Sequence, residues 1–270
     1  MTVHQNEQWL EALLELSRKP VGVKFLLTKS DYERFQAAES ENRMSYCTFV
    51  RRASEGTGAK FHYGNMACAG GAAALGLAEV TESMISGERR LSHGAYKDLC
   101  ICRKVSKKMT YCAHSAYGVA VLPLSEFTSP PDVVILICNP FNAMRIAQGY
   151  AFNHGHADDI CLSGMQAICQ ECTSYPYETD CLNLSLMCSG TRMLAGWKKD
   201  EMAAGMPYHI FEEVVDGLQA TVNPLERDPE KRRIADRLAE NNIGSDFTIM
   251  FGHNYDDNAY TGGPAGRPKE

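Results

Sequence analysis

No apolar run in this sequence approaches the roughly 20 residues that a membrane-crossing helix requires. The longest, VVILIC at 133–138, has the length of a strand. Basic residues are not in excess: 27 Lys and Arg face 33 Asp and Glu, the formal net charge is -6, and the cations are scattered. No basic face is offered to nucleic acid or anionic lipid, so neither is an expected partner. The opening stretch MTVHQNEQWLEALLELSRKP lacks a basic start, an unbroken apolar centre and a small-residue cleavage site, and Glu7, Glu11 and Glu15 interrupt it. Export is not expected, and a soluble chain in a reducing cytoplasm follows. Internal repeats are absent as well.

Cysteine, by contrast, is abundant, with 11 residues: Cys47, Cys68, Cys100, Cys102, Cys112, Cys138, Cys161, Cys169, Cys172, Cys181 and Cys188. An odd count without an export signal argues against a disulfide framework and for metal ligation or redox chemistry. With 44% hydrophobic and 22% charged residues among 270, the chain can bury a core without crosslinks. Residues 1–251 are read as one globular cysteine-rich domain, and 252–270 as a polar, glycine-rich, mobile tail.

The periodicity mixes strands with helices. Residues 6–18 predict an amphipathic helix, 21–27 a strand, 29–43 a solvated helix, and 117–124 and 133–138 two strands, the second apolar on both faces as suits a covered sheet. A glycine turn leads into an Ala/Leu helix within 64–80. Helices follow at 141–155 and across 206–243, the last marked by Asp228 as N-cap, Pro229 at the first helical position and Gly244 beyond the end. FTIM at 247–250 can add a closing strand. The class is α/β or α+β: a mixed sheet with helices on both faces and a cysteine-rich loop region.

That loop region is CLSGMQAICQECTSYPYETDCLNLSLMCSGTR (161–192), five cysteines among turn residues. Thiolates in loops can turn toward a common centre, and the Cys169/Cys172 pair can grip one ion or two corners of one cluster. A tetrahedral zinc site would want a second Cys-x-x-Cys, which is missing. An iron–sulfur cluster is larger and takes ligands from distant loops, so Cys47 and Cys68 could join Cys188 and one of Cys169 and Cys172. The irregular spacing favours the cluster, of the 4Fe-4S type. Cys100, Cys102 and Cys112, flanked by Arg103, Lys104, Lys107 and Lys108, read equally as a second metal site or as a charged hairpin with incidental thiols. Cys138 reads as core. The ACAGGAAALGL loop and the Cys-Ser-Gly-Thr-Arg turn can present backbone N–H groups to an anion, yet neither nucleotide-loop glycine pattern fits the first and the second is too short for a phosphatase loop. Arg192 and Arg51 are the candidate catalytic groups, holding an anionic substrate, with surface charge as the alternative for Arg51 and Arg52. His154 and His156 are read as helix-end residues.

Several segments in this order, PVGVKF, CTFVRRA, CAGGAAALGL, PPDVVILICNPFNAMRI and MCSGTR, together resemble a family catalogued as domain of unknown function 169, common in anaerobic bacteria and archaea, over roughly residues 15–220. The resemblance implies cysteine ligands at Cys47, Cys68 and Cys188 with a further one at 169/172, and lends no support to the Cys100/Cys102/Cys112 group. It implies no settled reaction.

Three functions follow as expectations. The first is an iron–sulfur enzyme, oxidoreductase or lyase, acting on a small polar or anionic metabolite. The others are a carrier of metal, sulfide or cofactor, and a structural zinc protein. Expected partners are a small-molecule substrate, an electron-donor protein and further copies of the chain.

Overall fold

The computed structural model describes residues 1–252, so the tail expected after Gly252 lies outside the described residues. In chain order the elements are α1 (Val3–Leu13), β1 (Val21–Leu26), α2 (Lys29–Arg34), α3 (Tyr46–Ser54), β2 (Ala59–His62), α4 (Ala69–Ala74), α5 (Glu82–Ile85), α6 (Glu88–Ser92), α7 (Leu99–Ser106), β3 (Gly118–Pro123), β4 (Val133–Cys138), α8 (Pro140–His154), a π-helical segment (Ala167–Ser174), α9 (Tyr175–Thr179), β5 (Asn183–Ser185), α10 (Ser189–Leu194), β6 (Met202–Pro207), α11 (Tyr208–Leu225) and α12 (Asp228–Glu240). The strands form one six-stranded sheet ordered β2-β3-β1-β4-β6-β5. Its pairings are antiparallel, with Val21 opposite Pro123 on one side and Ile135 on the other.

Side chains alternate across a strand, so the sheet sorts its residues into two cores. Val23, Val121, Ile135 and Ala203 face one core, with α3, α4 and the π-helical segment over them. Val134, Leu136, Cys138 and Met206 face the other, under α1, α8, α11 and α12. All six residues of β4 are buried, as its two-sided apolar sequence predicts. Asp132 locks the centre of the sheet: its carboxylate accepts from Phe25 N and Lys24 Nζ, both at 2.7 Å.

The second core is conventional. α8 and α11 cross so closely that a Cβ on Gly217 would lie 2.8 Å from the Gly149 carbonyl carbon and nearer still to its oxygen. Glycine at both crossing points is what permits the approach. The histidines after this pairing behave as helix-end residues: His154 closes α8, stacks on Tyr150 at 4.5 Å and pairs with Glu213 at 2.5 Å, while exposed His156 pairs with Asp158.

Four local expectations change. The charged helix stops at Arg34. Residues 247–250 form no strand; Phe247 instead packs edge-on against Trp9 at 5.5 Å. α12 has Arg227, not Asp228, at its N-cap, and the Asp228 carboxylate accepts instead from Gly252 N at 2.9 Å. The largest change concerns the loop region, where Cys169 and Cys172 lie in a buried helical segment. No helix among the described residues is long and apolar enough to cross a membrane.

Candidate metal centre

Three short elements and the π-helical segment bring four cysteines to one region on the first face of the sheet. Cys47 is the second residue of α3. Cys68 is the N-cap of α4, its Sγ accepting from Gly71 N at 3.4 Å. Cys188 caps α10 in the same manner, accepting from Thr191 N at 3.3 Å. Cys169 comes from the π-helical segment. One hydroxyl joins two of the sulfurs: Thr191 Oγ1 lies 3.0 Å from Cys188 Sγ and 3.3 Å from Cys47 Sγ. A second tie holds α3 to the π-helical segment. Thr173 donates to Ile168 O at 2.7 Å, so its oxygen is free to accept from the Tyr46 hydroxyl at 2.9 Å.

The electrostatics record the same convergence. Burial pushes the Cys47 thiol up to about 12, against the opposing Thr191 hydrogen bond, and the neighbouring Cys188 and Cys68 add to the rise. Cys169 is held well above the usual thiol range by burial first and then by Cys47, Cys68 and Cys188. Thiols so placed stay neutral on their own, and a bound cation would reverse that preference by stabilising the thiolates. The backbone is irregular at the same place. Gln166 (φ 54°) opens the π-helical segment and Met187 (φ 69°) precedes Cys188. Positive φ in residues with side chains, and π-helical turns, both concentrate at functional sites.

Of the Cys169/Cys172 pair, only Cys169 faces this group closely. A π turn takes more than four residues, so positions three apart point in different directions. Cys172, also held well above its usual range by burial, has Glu171, Cys138 and Ser185 as its stronger neighbours. Cys161 and Cys181 lie apart from the centre, near each other and Asp159. The Cys100/Cys102/Cys112 group also separates: Cys100 is exposed and Cys102 buried on α7, two positions apart on a helix and so on opposite sides. Cys112 sits elsewhere, with His114 and Glu178. Among the described residues that trio is the group of His, Cys, Asp or Glu whose donor atoms all lie within 4.8 Å of one another, and it could hold a metal ion.

A cavity of about 260 Å³ opens beside Cys68 and Cys188, lined also by Gly70, Gly190, Met84, Met165, Gln166, Arg89, Arg90 and His93. Cys68 and Gly70 of the Gly/Ala loop and Cys188 and Gly190 of the Cys-Ser-Gly-Thr-Arg turn lie in its wall. The expected arginines do not. Arg192 donates to the carbonyls of Leu186 (2.9 Å), Glu201 (2.8 Å) and Lys198, so it fastens a loop. Arg51, one turn after Cys47, lies against Gly196 and pairs with Glu55 at 3.8 Å. Arg89 and Arg90 of α6 line the cavity instead. Buried Arg90 donates to Ser106 Oγ (3.1 Å) and Gln166 Oε1 (2.8 Å), and Gln166 donates onward to Gly70 O (3.1 Å). Sequence reading missed α6 because GERR carries no spacing that distinguishes it from a solvated charge run. Thr191 was equally hidden, though it lies three residues after Cys188, where a cap residue's partner falls.

The fold and the gathered thiols define a cysteine-rich protein built on one sheet with helices on both faces. Its sequence matches the profile of the DUF169 family, described as uncharacterised ArCR, over residues 9–217, and the chain belongs to that family. An uncharacterised protein of Methanocaldococcus jannaschii is 25% identical over 222 residues, which span 80% of this chain and 94% of the relative. No solved structure matches it.

Proposed function

We propose that this is a cytoplasmic iron–sulfur enzyme of anaerobic metabolism, an oxidoreductase or lyase, with a 4Fe-4S cluster held by Cys47, Cys68, Cys169 and Cys188. The observation that carries the reading is the convergence of these thiols from four separate segments: burial and then Cys47, Cys68 and Cys188 raise Cys169, and Thr191 Oγ1 touches both Cys47 and Cys188. A cluster accepts thiolates from distant segments in this way. The donor set, thiolate alone, fits the group.

When bound by all four cysteines, the group would supply a redox couple; only with three of them as ligands would one iron offer a Lewis-acid position. The chain's own residues account for the substrate class. Arg89 and His93 in the cavity wall can hold a carboxylate or phosphate, and Arg90, fixed by Ser106 and Gln166, keeps α6 in place against the loop after Cys68. Met84 and Met165 add an apolar portion to the wall. An adjoining cavity of this kind favours an enzyme over a carrier with a bare, exposed site.

The test is anaerobic purification with iron and acid-labile sulfide quantified, followed by paramagnetic resonance of the reduced protein while small carboxylates and phosphate esters are titrated. About four iron and four sulfide per chain are expected, with a signal that shifts on ligand addition and a shift weakened in Arg89→Ala. Zinc without iron or sulfide would overturn the cluster. A full cluster whose signal no anion moves would overturn the substrate assignment.

A further inference from the structure

We propose that Cys112, His114 and Glu178 form a second, separate site for a zinc-type divalent cation. One donor atom from each lies within 4.8 Å of the other two. That is the spacing of ligands around a shared ion with bonds of about 2.0–2.3 Å.

An independent observation points to a missing partner. His114 Nε2 is enclosed and meets no hydrogen-bonding group. The imidazole packs edge-on between Phe25 at 4.7 Å and Tyr177 at 5.3 Å, which holds its orientation. The plain alternative treats Cys112 as a core thiol, Glu178 as the acceptor for Ala113 N at 2.8 Å and His114 as one more stacked ring. It leaves that nitrogen unpaired, a cost such enclosed groups ordinarily avoid.

The rest of the site is held as ligands are. Cys112 N donates to Ala74 O at 3.0 Å and Ala116 N to Gly76 O at 2.9 Å, so the segment between them is anchored to the end of α4. The hydrogen bond from Ala113 N orients the Glu178 carboxylate, the kind of support that outer partners give to metal ligands. The nearby Asp132 adds negative charge while its own oxygens stay with Lys24 and Phe25. One sulfur, one nitrogen and one oxygen donor suit zinc and disfavour calcium or magnesium, which take oxygen alone. Three protein ligands leave a fourth position, and exposed Glu178 marks the entry side. Glu178 rides on α9, which continues directly from the segment bearing Cys169, so an ion here would brace that segment against α4. The site stands whether or not the four-cysteine centre holds iron.

Cobalt(II) tests it, added to chelator-treated protein in four backgrounds: the unaltered chain, Cys188→Ser, His114→Ala and Glu178→Gln. One cobalt per chain is expected in the Cys188→Ser protein, with a sulfur-to-cobalt charge-transfer band that zinc abolishes. Affinity should fall at least tenfold in His114→Ala and in Glu178→Gln, the latter a change at an exposed carboxylate that the fold tolerates. Iron content of these two variants should match that of the unaltered chain. Absence of the band in Cys188→Ser, or cobalt affinity in His114→Ala and Glu178→Gln equal to that of the unaltered chain, would overturn the proposal. Loss of iron alone would bear only on the cluster.

Discussion

Adding a single methyl group at Gly205 separates the packing that builds the candidate metal centre from the packing that merely stabilises the fold. A Cβ there would stand 2.5 Å from Cys172 Cα and 2.6 Å from its carbonyl carbon, and closer to the oxygen. These are backbone atoms of the π-helical segment, so no flexible side chain can yield. The segment must lift off β6, carrying Cys169 with it. Overpacking of this kind costs about 1–3 kcal/mol, and contact with backbone places Gly205→Ala at the upper end. For a chain of this size about 3 kcal/mol lowers the melting temperature by roughly 6–12 °C. Gly217→Ala is the control, because its Cβ meets Gly149 at 2.8 Å and closer on the opposite face of the sheet. Both variants should melt earlier by similar amounts, measured by calorimetry under anaerobic conditions. Only Gly205→Ala should also lose iron and expose additional thiols to Ellman's reagent. Full iron content in Gly205→Ala, or equal iron loss in Gly217→Ala, would refute the link between this close approach and the centre.

Cys188→Ser should lose iron and stability together, since ligation is coupled to folding where remote segments meet, while Cys138→Ala, in the opposite core, should keep its iron by metal analysis. Arg192→Ala should lower the unfolding free energy by about 1–2 kcal/mol, from the carbonyls it leaves unpaired, without altering ligand affinity at the cavity. Glu7, 4% exposed, is raised from its ordinary 4.5 to about 7, chiefly by burial and then by Glu11. A carboxyl raised on folding favours the folded state below its unfolded value, and that contribution is lost as pH climbs from about 4.5 to about 7. Glu7→Gln should therefore gain on the order of 2 kcal/mol over the unaltered chain at pH 8 and almost nothing at pH 4.5, read from urea midpoints.

What the sequence made legible was whatever depends on local pattern. VVILIC is apolar at every position and became the fully buried central strand β4. The run at 141–155 became α8, which starts one residue earlier at Pro140 and ends at Gly155 as expected. Strands β2, β5 and β6 escaped notice for physical reasons. Ala59–His62 and Asn183–Ser185 are too short to show alternation. MAAGMP carries small residues because the π-helical segment lies against it, so its composition answers a tertiary demand rather than a strand propensity. The cysteine ligand set could be framed from residue type and family resemblance, but choosing Cys169 over Cys172 required knowing that the segment winds as a π-helix, which hydrophobic spacing does not encode. The arginines were misplaced for a related reason. Nearness in sequence to Cys47 and Cys188 drew attention to Arg51 and Arg192, whereas Arg89 and Arg90 reach the cavity from a helix about 20 residues beyond Cys68.

The two faces of the sheet divide the work of the molecule. On one face long helices, 15 and 18 residues, cross at paired glycines and bury Ile146, Phe211, Val214 and Leu218. On the other, α4 and α10 have six residues each, far below the length at which a helix is stable by itself. Their first turns are closed by cysteine sulfur in place of the usual oxygen cap. A thiol is a weak acceptor, so the capping these helices receive is weak while the sulfurs are protonated and strengthens once they become thiolates. Metal ligation at Cys68 and Cys188 would then do two things together: complete the centre and cap the helices whose start positions hold it. Under the proposed ligation, that coupling would account for short, irregular elements on the face that carries the cysteines, with the regular helices on the other.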